Sequence, residues 1–275
     1  MVDVVVVGAG HNGLVCACYL AQAGLDVLVV EQSDKAGGGS RTDETVPGYR
    51  FDTHSVAHNI INMTDIPAEL DLPGAGLEYL AMDPFAVAVP PDGRIIRFFR
   101  DIPATVASIA EVDPAEAAAY ERFMDLAVPL VRAAVTGLEA GASPARLRRI
   151  APTRVRSLAT ALWRFGGPAA LIRELLSPYE RVLVERLVSD RTRAPIAAFA
   201  AHASASPSAP GSAFYGLWQA AYHLYGQWHA RGDAQGLSDA LVSRLDSFGG
   251  RVRCDAPVGR VRRTAGGRVA GVTLE

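Results

Sequence analysis

Hydrophobic residues run without interruption at two places near the start of the chain. The first run is Val4–Val7, and the second lies within residues 25–32, LDVLVVEQ. Such β-branched runs are typical of strands that are buried on both faces of a parallel sheet. Residues 12–23, NGLVCACYLAQA, lie between the two runs and have a helical pattern that ends at Gly24. This order predicts a β-α-β unit.

The pattern changes after residue 60. Residues 77–101 alternate apolar and polar positions around the PPDG turn at residues 90–93, which predicts a strand hairpin. From Asp101 to Arg231 the spacing is largely helical. Prolines are predicted to separate these helices, at positions 103, 129, 152, 168 and 178.

The last part of the chain returns to an alternation of helix and strand. Residues 235–250, QGLSDALVSRLDSFGG, predict an amphipathic helix that ends at Gly249. Residues 251–275 alternate like strands, with a turn at Gly266 and Gly267. A third parallel strand is predicted near Val252–Cys254.

This order of segments predicts the α/β class, with a Rossmann-like domain and an inserted, mixed and mainly helical substrate domain. Residues 1–75 are expected to form the first segment of the nucleotide-binding domain. Residues 76–231 would form the substrate or cap domain, and residues 232–275 the return segment.

Three glycines follow the first strand within the sequence GAGHNG, at Gly8, Gly10 and Gly13. Gly8 allows a sharp turn, Gly10 lets backbone amides approach a pyrophosphate, and Gly13 lets the helix pack closely on the sheet. The helix N-terminus offers unpaired N–H groups and a positive dipole end to phosphates. His11 and Asn12, between the glycines, are assigned to the same site. The alternative is a buried strand followed by a tight turn.

An acidic residue, Glu31, ends the second strand. A carboxylate at this place accepts hydrogen bonds from ribose hydroxyls, and Gln32 beside it is assigned to the same site. Residues 37–42, GGGSRT, follow, and their glycines let the chain pass close to a cofactor while an arginine offers charge to the pyrophosphate. A flexible surface loop is the alternative for this segment. The residues concerned are Gly37, Gly38, Gly39 and Arg41.

Residues 31–38, EQSDKAGG, followed by residues 49–52, YRFD, resemble the second FAD fingerprint of the phytoene desaturase-like flavoproteins, which are related to the amine oxidases and protoporphyrinogen oxidases. The resemblance implies a GR2-type fold with FAD as cofactor. Many relatives have an arginine at the position of Gly39, and Arg41 is a candidate substitute. The resemblance places residues 54–56 near the isoalloxazine. In all it implies cofactor contacts for Gly37, Gly38, Thr42, His54, Ser55, Val56 and, through its backbone at the adenine end, Val258.

Aromatic residues recur at helical spacing between residues 214 and 228, which predicts a helix that is apolar all round. One stripe of it is a candidate lining for a hydrophobic substrate pocket, and plain core packing is the alternative. The candidates are Phe214, Trp218, Tyr222 and Trp228. His54 is the one candidate for a catalytic side chain, as a group that positions substrate or accepts a proton. A loop residue bonded to backbone is the alternative for His54.

The resemblance implies an FAD-dependent oxidoreductase that desaturates or isomerises a hydrophobic substrate, such as an isoprenoid or natural-product intermediate. The related flavoproteins end with a glycine-rich segment over the flavin, and no match to it occurs in this sequence. The C-terminal part of the fold is therefore expected to be missing. Either the sequence is the N-terminal part of a longer protein, or a second polypeptide supplies the remainder in a hetero-oligomer, which is the expectation we adopt. The alternatives are a non-catalytic FAD-binding or assembly subunit, an amine oxidase-type flavoenzyme and an NAD(P)-dependent dehydrogenase, which the second glycine cluster disfavours.

Composition and charge limit the partners and the cellular compartment that are expected for the protein. The 275 residues are 49% hydrophobic and 20% charged, and the net charge of −2 gives no reason to expect nucleic-acid binding. Three cysteines without a CxxC pair suit a reducing compartment, so a cytoplasmic protein is expected. No apolar run reaches the roughly 18 residues that span a bilayer. No metal is expected, because His54 and His58 lack a third ligand.

One stretch, residues 146–164, is strongly basic and contains no acidic residue. A solvated helix face is the favoured interpretation, and a peripheral contact with a membrane is the alternative. The arginines of this stretch are Arg146, Arg148, Arg149, Arg154, Arg156 and Arg164.

Overall fold

The computed structural model describes residues 2–141, 143–202 and 205–275. The first elements are β1 (Val4–Val7), α1 (His11–Gln22), β2 (Val27–Val30), β3 (Thr42–Val46), β4 (Tyr49–Asp52), α2 (Ile66–Glu69), β5 (Tyr79–Ala81), β6 (Ala86–Ala88) and β7 (Ile96–Phe98). The helices that follow are α3 (Ile102–Ala110), α4 (Pro114–Ala134), α5 (Thr136–Ala140), α6 (Pro144–Phe165), α7 (Pro168–Leu175), α8 (Tyr179–Arg186), α9 (Asp190–His202), α10 (Ala213–Leu217) and α11 (Gln219–Tyr225). The last elements are β8 (Trp228–Ala230), α12 (Gln235–Ser247), β9 (Arg251–Arg253), β10 (Val258–Arg263) and β11 (Val269–Leu274).

A parallel sheet in the order β1-β2-β9 confirms the predicted β-α-β unit and its third strand. Val29 of β2 pairs with Val6 on one side and Val252 on the other. Helices α1 and α12 pack together, and Leu14 and Leu241 share one buried apolar cluster with β2. Burial of a side chain of this size stabilises the fold by about 1.5–3 kcal/mol.

The chain divides into two compact units. The first contains Met1–Leu80 and Trp228–Glu275, and the second contains Ala81–Gln227. The predicted domain boundaries, at 75/76 and 231/232, lie a few residues from these limits. That the segments fold as separate domains stays a prediction.

Antiparallel hairpins complete the two units. In the first unit β3 pairs with β4, and β10 pairs with β11 across the predicted turn at Gly266 and Gly267. In the second unit β6 pairs with β7, which confirms the hairpin predicted around the PPDG turn. Strand β5 pairs with β8.

The second unit is largely helical, as predicted, but its prolines are placed in two ways. Pro129 and Pro152 lie inside α4 and α6, so the prediction that they separate helices is wrong. A proline in a helix removes one backbone hydrogen bond, and the flanking turns of α4 are held by burial of Leu126 and Leu130. The other prolines begin helices, as predicted: Pro103, Pro168 and Pro178.

The single aromatic helix predicted for residues 214–228 is also wrong. Helix α10 ends at Leu217, and α11 ends at Tyr225 before Gly226. Gly226 has a φ of +75°, which glycine adopts without steric penalty and which stops the helix. Trp228 consequently lies on β8 rather than on a helix.

Candidate functional site

The first glycine segment joins β1 to α1 by a sharp turn. Gly8 has a φ of +99°, and a Cβ atom on Gly13 would overlap the carbonyl oxygen of Gly8. This contact confirms the close packing of helix and strand predicted for Gly13. Within the described residues no side chain caps α1, whose first residue is His11. The N–H groups of its first turn are therefore free to face a phosphate.

The second glycine segment lies directly against the first. The Gly37 N–H donates to the Ala9 carbonyl over 2.9 Å, and Gly10 and Gly37 form a parallel β-bridge. A Cβ atom on Gly38 would stand 2.9 Å from the Gly10 Cα atom. The two segments thus meet along bare backbone, which leaves room for a ligand to approach the main chain.

Glu31 follows β2 and faces the same turn. Its Oε2 atom accepts from the Ala9 N–H at 2.7 Å, and its Oε1 atom accepts from the Ser33 N–H at 3.0 Å. Burial alone would raise the pKa of Glu31, but the backbone N–H groups of Ser33 and Ala9 hold the pKa below its usual value. The side chain is therefore a carboxylate at neutral pH, and carboxylates accept hydrogen bonds from ribose hydroxyls. Gln32 adjoins it in sequence.

The loop between residues 36 and 42 is held by side chains that the sequence did not identify. Gln235, at the start of α12, donates from Nε2 to the Ala36 carbonyl at 2.9 Å and from its backbone N–H to the Thr42 hydroxyl at 3.1 Å. The hydroxyls of Ser40 and Ser238 lie 2.6 Å apart. Both Gln235 and Ser238 are buried. The signal in the sequence that could have identified these two residues is their polar character on the buried face of an amphipathic helix.

Arg41 and Thr42 are engaged within the chain. The Arg41 guanidinium lies 2.7 Å from Asp43 and 2.8 Å from Asp34. The Thr42 hydroxyl donates to the Asp52 carboxylate at 2.5 Å. Two carboxylates already balance the charge of Arg41, so its predicted contact with a pyrophosphate stays a prediction. Gly39 has open space where a Cβ atom would stand.

The segment predicted near the isoalloxazine runs beside the second glycine segment. The Ser55 N–H donates to the Gly39 carbonyl at 3.0 Å. The Val56 carbonyl lies 2.6 Å from the Nδ1 atom of His229, and the Val56 side chain is half exposed. His54 is exposed and contacts the Thr53 hydroxyl at 3.1 Å. The structure thus brings residues 54–56 close to the second glycine segment. A catalytic role for His54 stays a prediction.

His58 is the most unusual polar residue of this unit. Its Nδ1 atom lies 3.0 Å from the Tyr79 hydroxyl. Among the described residues its Nε2 atom has no hydrogen-bond partner, although the residue is only 6% exposed. Burial, followed by the nearby charges of His11 and His229, lowers the pKa of His58 to about 4. A neutral imidazole with one unpaired nitrogen is suited to hydrogen bonding with a bound group.

Val258 begins β10 close to the end of β2. The Ala256 N–H donates to the Glu31 carbonyl at 2.8 Å, and the Asp255 N–H donates to the Ser33 carbonyl at 3.0 Å. The segment that precedes Val258 is therefore fixed to the ribose-binding end of the predicted site. Its contact with the adenine end stays a prediction.

The predicted substrate-pocket residues do not form one surface. The rings of Phe214 and Trp218 contact each other at a centroid distance of 5.5 Å. Tyr222 instead packs against Phe85 and Phe199, each at 5.4 Å. Trp228 lies on β8. A groove of about 550 Å³ between α4 and α6 is lined by none of the four predicted residues, so their role in substrate binding stays a prediction.

Two features are absent from residues 2–141, 143–202 and 205–275. Over these residues there is no group of three or more His, Cys, Asp or Glu side chains placed to hold a metal ion. In the same residues no helix has both the length and the apolar composition needed to cross a bilayer.

Comparisons with known proteins agree with this geometry. Residues 6–66 match the profile of an NAD(P)-binding Rossmann-like domain. Over 99% of its length the chain is 31% identical both to pyridine nucleotide-disulfide oxidoreductase domain-containing protein 2 of Mus musculus and to hydroxyneurosporene desaturase of Rhodobacter capsulatus, of which it covers 50% and 53%. The chain spans about half the length of the curated relatives it matches. A putrescine oxidase structure shares the fold with a TM-score of 0.54 and 20% identity, over 99% of this chain and 54% of that one.

The fold and the site define a Rossmann-type dinucleotide-binding unit with a carboxylate, Glu31, after its second strand. With these relatives, the chain is similar over almost its whole length to the phytoene desaturase-like flavoproteins, and its cofactor is FAD. The residues fit this cofactor. A Cβ atom at Gly13 would collide with the backbone of Gly8, and one at Gly38 would collide with the backbone of Gly10. The side chain of Glu31 is ionised beside these two glycine segments. The unpaired Nε2 atom of His58 offers a further polar contact in the same unit.

Proposed function

We propose that the protein is an FAD-dependent oxidoreductase that desaturates or isomerises a hydrophobic substrate, such as an isoprenoid or natural-product intermediate. The observation that carries the proposal is the meeting of the two glycine segments beside Glu31. Similarity to a hydroxyneurosporene desaturase supports the substrate class. The aromatic interior of the second unit, with Phe85, Phe199 and Tyr222 in contact, also suits an apolar ligand.

The residues of this chain would bind and orient the cofactor. The N–H groups of the first turn of α1 would face the pyrophosphate, and Glu31 would accept hydrogen bonds from ribose hydroxyls. Gln235 and Ser238 would keep the second glycine segment in the shape that the cofactor requires, because they fix it to α12. Bound FAD supplies a two-electron acceptor, so loss of a hydride and a proton from adjacent substrate carbons gives a double bond.

His58 would contribute a neutral hydrogen-bonding group. Because its pKa is lowered to about 4, the imidazole stays uncharged at neutral pH and can donate or accept one hydrogen bond at Nε2. Tyr79 fixes the ring through its contact with Nδ1. An uncharged group of this kind is compatible with an apolar substrate, since no buried charge needs a partner.

A second polypeptide that supplies the other half of the fold is part of the proposal. The chain covers 50% and 53% of the length of the two relatives above. A non-catalytic FAD-binding subunit is the alternative, and it would bind FAD without accepting electrons from a substrate.

The experiment is anaerobic flavin reduction with two chemically distinct probes. The purified protein is loaded with FAD, and its visible flavin absorption is followed after adding phytoene in detergent micelles or putrescine in buffer. The proposal expects bleaching with phytoene and none with putrescine. Bleaching with putrescine alone would instead favour an amine oxidase. An FAD-loaded protein that neither probe reduces, and that leaves the phytoene unchanged in chromatography, would contradict the proposal.

A further inference from the structure

The imidazole of His58 is fixed in place by its neighbours in the nucleotide-binding unit. The His58 N–H donates to the Trp228 carbonyl at 2.8 Å, and the His58 carbonyl accepts from Nδ2 of Asn62 at 2.6 Å. The ring meets the Tyr79 ring edge to face, with the ring centroids 5.7 Å apart and an interplanar angle of 89°. Because both the backbone and the ring are held, the Nε2 atom has a fixed position and direction.

The hydroxyl of Tyr79 decides which ring nitrogen of His58 carries the proton. Burial raises the pKa of Tyr79, and a hydrogen bond from the Asn62 side chain opposes that rise. A hydrogen bond that lowers the pKa of a phenol is donated to its oxygen, because it favours the charged form. The Tyr79 oxygen therefore accepts from Asn62, whose amide has a second hydrogen besides the one given to the His58 carbonyl. The Tyr79 O–H then donates to Nδ1 of His58, 3.0 Å away.

His58 consequently presents an N–H group at Nε2. The imidazole is neutral at neutral pH, since burial lowers its pKa to about 4, and a neutral imidazole has one ring proton. With Nδ1 accepting from Tyr79, that proton lies on Nε2. In the part of the chain that the structure describes, no group accepts from Nε2, and His58 is 6% exposed. A buried N–H without an acceptor costs free energy, so a donor held this firmly indicates an acceptor on a ligand.

The surroundings of His58 are those of the two glycine segments. After burial, the charge of His11 is the next largest influence on the pKa of His58, and His11 is the first residue of α1. Such an influence falls with distance, so His58 lies near the N-terminus of α1. The segment that leads to His58 is bonded to the second glycine segment, because the Ser55 N–H donates to the Gly39 carbonyl at 3.0 Å.

We propose that His58 is a cofactor-binding residue whose Nε2–H group donates a hydrogen bond to an oxygen atom of FAD, and that Asn62 and Tyr79 are the positioning residues that direct it. The inference rests on the assignment of FAD to the two glycine segments, and it adds to the proposed function the direction and the recipient of the hydrogen bond. FAD has acceptor oxygens on its pyrophosphate and on the carbonyl groups of its isoalloxazine ring. A neutral N–H group suits either kind, since it needs no counter-charge when it is buried.

Two amide substitutions separate the roles of the two ring nitrogens. The amide of glutamine reaches to the position of Nε2 and can donate there, whereas the shorter amide of asparagine replaces Nδ1 and leaves no donor at Nε2. His58→Asn should therefore bind FAD about tenfold more weakly, while His58→Gln should stay within about threefold of the wild type. Quenching of FAD fluorescence on titration of the apoprotein measures both dissociation constants.

Tyr79→Phe tests the positioning role. Without the hydroxyl the proton is shared between Nδ1 and Nε2, so FAD affinity should fall by less than it does in His58→Asn. The matched controls are His202→Asn and Tyr215→Phe, at exposed positions of the helical unit, and they should bind FAD as the wild type does. NMR of the ring nitrogens of the apoprotein gives a readout that is independent of FAD, with His58→Asn identifying the signals of His58. The proton is expected on Nε2.

A titration with ADP-ribose distinguishes the two kinds of acceptor oxygen. ADP-ribose carries the pyrophosphate and lacks the isoalloxazine ring. If His58→Asn weakens the binding of ADP-ribose as much as that of FAD, the acceptor is a pyrophosphate oxygen. If it weakens the binding of FAD alone and shifts the visible absorption of the bound flavin, the acceptor is a carbonyl oxygen of the isoalloxazine. Both results support the proposal.

Three results would overturn it. One is a proton on Nδ1 of His58 in the wild-type apoprotein, a measurement that needs no variant to fold. Another is equal FAD affinity in His58→Asn and the wild type, and the third is a loss in His58→Gln as large as that in His58→Asn, which would mean that the ring has a packing role. A wild type that binds no FAD would contradict the assignment of the cofactor as well, whereas unchanged affinity in the variants contradicts this inference alone.

Discussion

The two units of the molecule satisfy their polar groups in different ways. In the nucleotide-binding unit, the site consists of main chain held close by glycine, as in the contact between Gly37 N–H and the Ala9 carbonyl. In the helical unit, buried side chains satisfy one another. The Tyr120 hydroxyl lies 2.6 Å from Nε2 of His223 and accepts from Gln219 at 3.2 Å. A substitution at the glycine segments of the first unit should therefore affect ligand binding, with or without a loss of stability, whereas one in the buried network of the second unit should affect stability alone.

The largest effect is expected for Gly13→Val. The added side chain would overlap the Gly8 carbonyl, which is backbone and cannot move without shifting β1. The free energy of unfolding should fall by about 3 kcal/mol and FAD binding should be lost. Chemical denaturation and the flavin content of the purified variant measure both effects. The matched control is Gly39→Ala, which meets open space; if it is as damaging as Gly13→Val, close packing is not the cause.

The next effect is expected for Glu31→Gln. An amide offers one acceptor where the carboxylate accepts from both Ala9 and Ser33, and it binds ribose hydroxyls less strongly. FAD affinity should fall about 10- to 100-fold. Flavin fluorescence quenching measures this affinity, with Glu44→Gln as the control at an exposed carboxylate. An unchanged dissociation constant of FAD for Glu31→Gln would contradict the predicted contact between Glu31 and the ribose.

The same residue predicts a pH dependence of stability. The pKa of Glu31 in the folded protein lies below its usual value of 4.5. Its ionised form therefore contributes stability that is fully present above pH 4.5 and is lost as the pH falls through the folded value. The difference in unfolding free energy between wild type and Glu31→Gln should shrink in that acidic range. A difference that instead grows below pH 4.5 would contradict this direction of the shift.

A smaller effect, confined to stability, is expected for Tyr120→Phe. Loss of the hydroxyl leaves polar atoms of His223 and Gln219 buried without this partner, which should lower the free energy of unfolding by about 1–3 kcal/mol. FAD affinity should not change, since the network lies in the helical unit. A variant with normal stability and weakened FAD binding would break the comparison between the units.

The smallest effect is expected for Arg41→Gln. The guanidinium is already paired with Asp34 and Asp43, so its charge is largely balanced within the chain. FAD affinity should change by less than about threefold, in line with the small contribution of partly exposed ion pairs. A tenfold or greater loss of FAD affinity would instead support the contact between Arg41 and the pyrophosphate that the sequence predicted.

The sequence predicted those parts of the fold whose signals are local. The valine runs, the glycine spacing and the end of β2 at Glu31 specified the β-α-β unit, because burial on both faces and positive φ angles leave a mark at the residue itself. The contact of Gln235 with the loop at residue 36 joins positions almost 200 residues apart. No local pattern contains that information.

The wrong predictions of secondary structure have the same cause, which is that local patterns do not contain the tertiary contacts. Pro152 lies inside α6, and the aromatic helix is broken before Trp228, because packing and a single glycine at Gly226 decided the outcome. Local propensity is a weak guide where tertiary contacts compete with it. The candidate site, which consists of main chain at the glycine segments, was therefore easier to predict than the interior of the helical unit, which depends on contacts between side chains.

The most direct test of the central claim is the identity and amount of dinucleotide that the purified protein holds. Denaturation releases the cofactor, chromatography identifies it, and titration of the apoprotein with FAD and with NADPH compares the two ligands. The account predicts one FAD for each chain, bound more tightly than NADPH. A chain that binds NADPH in preference to FAD, or that binds neither, would contradict the claim that the two glycine segments and Glu31 form an FAD site.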